Sequence, residues 1–162
     1  ILHTGLHDLG CHLIFDIDED VYSFLTRNLW NPVFSNHTAD LLSYCSSIDN
    51  HLSEKRCFIN FQEKMFDVCC FQEGKILSVN SYKIEGAFDA LYFITGIWEK
   101  LPLDQENDLL YLCGSSDAQH ETVDTLRKHI RRIKKLTFPV KTHIPDIEKN
   151  KIPTDLMIKL CE

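Results

Sequence analysis

Phosphate-cradling glycine patterns are missing from this chain. Its 162 residues include only six glycines. None falls into a GxxxxGK(S/T), GxGxxG or GxSxG arrangement, so the commonest phosphate loops and the hydrolase nucleophile elbow are excluded, while other catalytic architectures are not. Long apolar runs are also absent. No stretch approaches the roughly 20 residues of a membrane-spanning helix, and no charged-then-apolar leader opens the sequence, so a cytoplasmic protein is expected. The first residue is Ile1 rather than methionine, from which a missing preceding segment is expected.

No CxxC occurs. The seven cysteines (Cys11, Cys45, Cys57, Cys69, Cys70, Cys113 and Cys161) are odd in number, irregular in spacing and mostly embedded in apolar runs. That is the pattern of buried thiols in a reducing compartment, not of a disulfide framework. Cys69 and Cys70 are adjacent in a strand-like run, so they face opposite sides and make a poor redox or zinc pair. A net charge of −7 argues against a nucleic-acid-binding protein as a whole.

The first third reads as strand, helix, strand, helix. His12 to Asp16 is a short apolar run ending in acids, and Asp18 is a suitable N-cap for a helix over Glu19 to Leu29. Asn31-Pro32 stops that helix, Val33-Phe34 resumes an extended path, and Ser35 to Thr38 supplies caps for a helix from about Ala39 towards Asn50. The polar stretch Ser46 to Glu54 predicts a lobe boundary, with domains over 1–52 and 53–162.

The remainder predicts three strands, helix, strand, helix. Arg56 to Phe61, Met65 to Phe71 and Lys75 to Lys83 form a candidate antiparallel meander, in which Gly74 supplies the positive φ of a tight hairpin. Phe88, Leu91, Tyr92, Thr95, Trp98 and Leu101 recur at helical spacing until Pro102. Leu109 to Cys113 is a short buried strand, expected to join the first meander strand in parallel because a helix intervenes. Val123, Leu126, Ile130 and Ile133 predict the buried stripe of another helix. Pro139, Pro145 and Pro153 then break a wandering tail that ends in an apolar-rich segment, Asp155 to Cys161.

Several clusters have simple structural readings. Asp16, Asp18 and Asp20 have the spacing that opens a calcium loop, but Val21 and Arg27 stand where its glycine and glutamate belong, so helix capping is expected and no metal site. The eight histidines are scattered. His37, beside Ser35 and Asp40, reads as part of a helix-start cluster. Arg127, Lys128, Arg131, Arg132, Lys134 and Lys135 concentrate six of the 17 basic residues. They are expected to line a solvated helix face, and Arg127, Lys128, Arg131, Arg132 and Lys135 are candidates for contact with an acidic partner or nucleic acid.

Three strands followed by helix, strand, helix is the order of a ribonuclease H-like lobe, the unit that actin-like ATPases use in duplicate. The segments Leu77-Ser78-Val79-Asn80-Ser81-Tyr82, Asp89-Ala90-Leu91-Tyr92-Phe93-Ile94 and Leu109-Leu110-Tyr111-Leu112-Cys113-Gly114 are more specific, as is the close from Ile152-Pro153-Thr154-Asp155-Leu156 to Cys161-Glu162. Together they resemble a family of uncharacterised Bacteroidetes proteins, a domain of unknown function with an actin-like fold similar to the type IV pilus assembly protein PilM. The resemblance covers most of Arg56 to Glu162, and Cys11 to Asn50 looks like the end of a preceding lobe with its connecting helix.

The resemblance implies a phosphate-holding Asp-x-Gly hairpin at Asn60-Phe61-Gln62-Glu63-Lys64. Asn60 stands in the place of the acid, Gln62 in the place of the glycine, and Glu63 has the wrong sign for a phosphate. It also implies an adenosine contact at Gly114-Ser115-Ser116. Candidate nucleotide-binding residues are therefore Gly114, Ser115, Ser116, Asn60 and Lys64, with ATP and magnesium the only implied cofactors and no catalytic residue. The leading expectation is a non-enzymatic actin-like scaffold with a protein partner, by fold analogy a pilus- or secretion-type assembly. The alternatives are an ATP-binding enzyme whose catalytic residues lie in a missing first lobe, and a nucleic-acid binder using Arg127 to Lys135. The Gln62 to Lys64 turn is expected to be an ordinary exposed hairpin.

Overall fold

In the computed structural model, which describes residues 1–49, 53–114, 117–139 and 152–161, the chain folds as α/β. The elements are β1 (Leu2–Leu6), a 3-10 turn (His7–Leu9), β2 (Cys11–Phe15), α1 (Glu19–Asn28), α2 (His37–Asp49), β3 (Arg56–Phe61), β4 (Met65–Gln72), β5 (Lys75–Lys83), α3 (Ala87–Lys100), β6 (Leu109–Gly114), α4 (Asp117–Leu126), β7 (Ile133–Lys135) and α5 (Thr154–Lys159). No helix among the described residues is long and apolar enough to cross a membrane.

The Arg56–Phe61 run is buried at every position because both faces of its strand are covered. It lies at the centre of a mixed sheet ordered β5-β4-β3-β6-β7. β3 and β4 pair antiparallel, as do β4 and β5, while β6 runs parallel to β3 from Arg56↔Leu109 to Phe61↔Gly114. Alternation along the strands divides the core in two. Cys57, Ile59 and Phe61 face α3 and α4 with Phe66, Val68, Cys70 and Leu110. Phe58 faces α2 and α5 with Cys69, Phe71 and Cys113. The β4–β5 hairpin turns at Glu73 (φ 53°) and Gly74 (φ 76°), whose left-handed backbones match the twist of the strands they join. The seven cysteines are all free thiols.

Three expectations need correction. Leu2–Leu6 is a strand, paired antiparallel with β2 in a separate two-stranded sheet, and Val33-Phe34 is not one. The basic segment is not a helix face: α4 ends at Leu126, a turn follows, and Ile133–Lys135 is a strand parallel to β6. The spacing of Ile130 and Ile133 fits a helix equally well, but the free edge of β6 needs backbone partners. Leu110 N donates to Arg132 O, and Leu136 N donates to Leu112 O. Pro145 and the tail around it lie outside the described residues.

α1 has no buried residue, so local interactions carry it. Asp18 Oδ1 accepts from the amides of Asp20 at 2.9 Å and Val21 at 3.1 Å, as its N-cap assignment requires. Asp18→Ala is expected to remove about 1 kcal/mol from this helix alone. Amide exchange at Asp20 and Val21 should then quicken about fivefold while the global melting temperature stays unchanged.

Candidate functional site

The pairing register places Ser81 opposite Asp67, Asp67 opposite Asn60, and Asn60 opposite Cys113. Registered partners share a face, so these side chains form one polar row across β5, β4, β3 and β6 on the side of α2 and α5. The row lies towards the C-terminal ends of the parallel pair β3 and β6. His37 opens α2 and Thr154 opens α5, and both reach the row.

Asp67 is its centre. Its side chain is fully buried, and Oδ1 accepts from Ser81 Oγ at 2.6 Å while Oδ2 accepts from Gln62 Nε2 at 2.8 Å and Asn60 Nδ2 at 3.3 Å. His37 Nε2 is 3.3 Å from Oδ2, off the hydrogen-bonding line, so that attraction is one of charge. Asn60 donates to Asp67 and in turn accepts through Oδ1 from Thr154 Oγ1 at 2.6 Å, an orientation that satisfies both ends of its amide. The Cys113 thiol lies 3.6 Å from the same oxygen, and burial holds it protonated.

The charges reinforce one another. Burial pushes the Asp67 carboxyl up, but His37, Ser81 and Asn60 outweigh it and hold the group below its ordinary value of 3.8. His37 is held above 6.5, chiefly by Asp67 and against the opposing effect of its own burial, with Asp155 and Asp40 adding to the rise. A cleft of about 500 Å³ opens beside the row, lined among others by His37, Asn60, Gln62, Glu63, Gly114 and Asp155. Among the described residues its ionisable lining is therefore more acidic than basic.

The candidate nucleotide residues separate. Asn60 and Gly114 line the cleft, Lys64 is exposed and not among the lining residues, and Ser115 and Ser116 lie outside the described residues. Gly114 (φ 74°) is required by close approach: a Cβ there would lie 1.9 Å from Phe61 O and 2.9 Å from Asn60 Oδ1. The Gln62–Lys64 turn closes by a Gln62 N–Met65 O bond of 2.8 Å, and none of its residues has a positive φ. Glu63 and Lys64 are exposed, but Gln62 folds back onto Asp67.

The candidate partner residues are tied down in different ways. Arg131 pairs with Glu106 at 2.6 Å, Arg132 with Glu54 at 3.5 Å and Arg127 with Asp124 at 3.6 Å, whereas Lys128 and Lys135 are exposed. Asp18 caps a helix, and no group of three or more His, Cys, Asp or Glu residues among those described could hold a metal ion. The histidines are less scattered than they look in sequence. His3 and His12 meet across the β1–β2 pair with ring centroids 5.9 Å apart, and His7 stands four positions after His3.

A family described as "Protein of unknown function (DUF3822)" matches residues 1–133. The chain belongs to this family. A crystal structure from Bacteroides thetaiotaomicron VPI-5482, described as a protein with actin-like ATPase fold and unknown function, is similar over 98% of the chain at a TM-score of 0.83 and 22% identity. That likeness is one of fold. The chain spans 57% of the solved protein's length. No curated protein matches it. Asp67, which centres the site of this DUF3822 chain, is the residue sequence reasoning missed; its one signal is an acid inside the apolar run Phe66 to Phe71.

Proposed function

We propose that this chain is an actin-like interaction module in which hydrogen bonds within the protein have replaced phosphate handling. In this reading β3 to α5 form a ribonuclease H-like lobe over 53–162, and 1–52 form the end of a preceding lobe with its connecting helix α2. The observation that supports it most is the use of Asp67, Asn60, Gln62, Ser81 and Thr154 on one another. Both oxygens of the buried Asp67 carboxylate accept from neighbouring side chains, and Asn60 occupies the place that the resemblance gives to an acid. A metal-bound triphosphate needs converging donors or cations. Glu63 and Asp155 line the cleft instead, and His37 is matched by Asp67. The partner is a protein, by fold analogy one belonging to a pilus- or secretion-type assembly in the cytoplasm.

Calorimetry of the full-length protein with ATP and magnesium tests this reading. No binding heat is expected, and Glu63→Ala should not create one. Tight magnesium-dependent binding that Asn60→Ala or Lys64→Ala abolishes would overturn the scaffold in favour of an ATP-binding enzyme.

A further inference from the structure

The β1–β2 ribbon has two unlike faces. Alternation turns Leu6, Cys11 and Leu13 towards the core beside α2, and leaves His3, Gly5, His12 and Ile14 on the other side. His3 and His12 are both exposed there. The register sets Gly5 directly opposite His12 and Ile14 opposite His3, so the two histidines are diagonal neighbours across the strands, a separation that ring side chains can span.

Gly5 decides how closely they approach. It puts no side chain between them, and the place where its Cβ would stand is 3.5 Å from His12 Cε1 and 3.4 Å from His7 Nε2. The His12 ring therefore leans over the glycine, and its centroid comes to 5.9 Å from that of His3 with the planes tilted by 45°. Two imidazoles that share one zinc ion through bonds of about 2.0–2.1 Å hold their centroids roughly 5 Å apart. Small side-chain rotations at these exposed positions close the difference.

We propose that His3 and His12 chelate a divalent transition-metal ion of the zinc class, which bridges β1 to β2. Neutral imidazole suits zinc, copper and nickel, whereas magnesium and calcium take oxygen ligands. No third His, Cys, Asp or Glu among the described residues completes a closed set, so water fills the other positions and the ion exchanges freely. A two-stranded ribbon is marginal by itself, and a cross-strand bridge therefore acts on an element that gains from it. The site uses no residue of the Asp67 row and does not depend on how the cleft beside that row is read.

The probe is zinc chloride, titrated calorimetrically into the full chain carrying a few added residues before Ile1, so that no free terminal amine beside His3 takes part. One ion should bind per chain, and magnesium should give no heat. His3→Ala and His12→Ala should each weaken binding about tenfold or more, at least the effect of losing a supporting partner in other metal sites. His120→Ala and His129→Ala, at exposed positions elsewhere, should leave it unchanged. With zinc at about ten times its Kd, amide exchange in Leu2–Leu6 and Cys11–Phe15 should slow about tenfold. Zinc binding weaker than about 1 mM overturns the proposal, as does binding that survives both substitutions together. An equal loss in His7→Ala would make the site a three-histidine one and overturn the two-ligand assignment.

Discussion

Asp67→Ala is expected to cost about 3–5 kcal/mol of folding stability, read from denaturant midpoints at constant m-value. The loss comes from the partners left behind. Ser81, Gln62 and Asn60 lose the acceptor they share, and His37 loses the charge that holds it protonated beneath α2. Asp67→Asn keeps the shape but replaces an acceptor with a donor facing donors, so it should fall between wild type and alanine. The pH profile identifies the pair. Asp67 titrates below its ordinary 3.8 when folded, so its contribution is present above that value and is lost as pH falls through the folded pKa. His37 titrates above 6.5 when folded, so its contribution is complete below 6.5 and is lost as pH rises through its folded pKa. Stability from the pair is therefore greatest between those limits. In Asp67→Ala the alkaline decline attributable to His37 should flatten.

Gly114→Ala is expected to cost about 3 kcal/mol or more, lowering the melting temperature by about 10 °C. Two separate penalties act there. The backbone sits at φ 74°, where an L side chain is strained, and the added Cβ would overlap the carbonyl of Phe61 on the neighbouring parallel strand. Relief requires the ends of β3 and β6 to part, which would also disturb Asn60 and its bond from Thr154. Gly96 is the control. It lies within α3 with nothing within 4 Å of an added Cβ, so Gly96→Ala should be neutral or stabilising by up to about 1 kcal/mol.

The elements that carry their own periodicity were legible in the sequence. Lys75 to Lys83 and the Gly74 turn can each be read from a few neighbouring residues, and so can the existence of α3, but not its buried face: Phe88, Tyr92 and Thr95 of the expected stripe are exposed, and Ala90, Ile94 and Ile97 are buried beside Trp98. Cys69 and Cys70 do face opposite cores. What local pattern could not convey was register. Asp67, Asn60, Ser81 and Cys113 are ordinary residues in four separate strands until pairing sets them side by side, and Thr154 joins Asn60 across 94 positions. β7 was hidden for a related reason. Its three residues have almost no strand signal of their own, and the unfilled edge of β6 recruits them. The basic run was misread because charge density was taken for a helix face, whereas three of its arginines are held by acids from other segments or from α4.

The position of that run has a colloidal consequence. Among the described residues β7 is the last strand on its side of the sheet, only three residues long, and Lys134 and Lys135 are both exposed. A foreign strand adding there would meet a short template and would bring its backbone alongside two ammonium groups, which a growing stack of identical molecules would repeat at every layer. Replacing both lysines with valine is therefore expected to raise the rate of fibre growth, read by light scattering or thioflavin binding at constant folding stability.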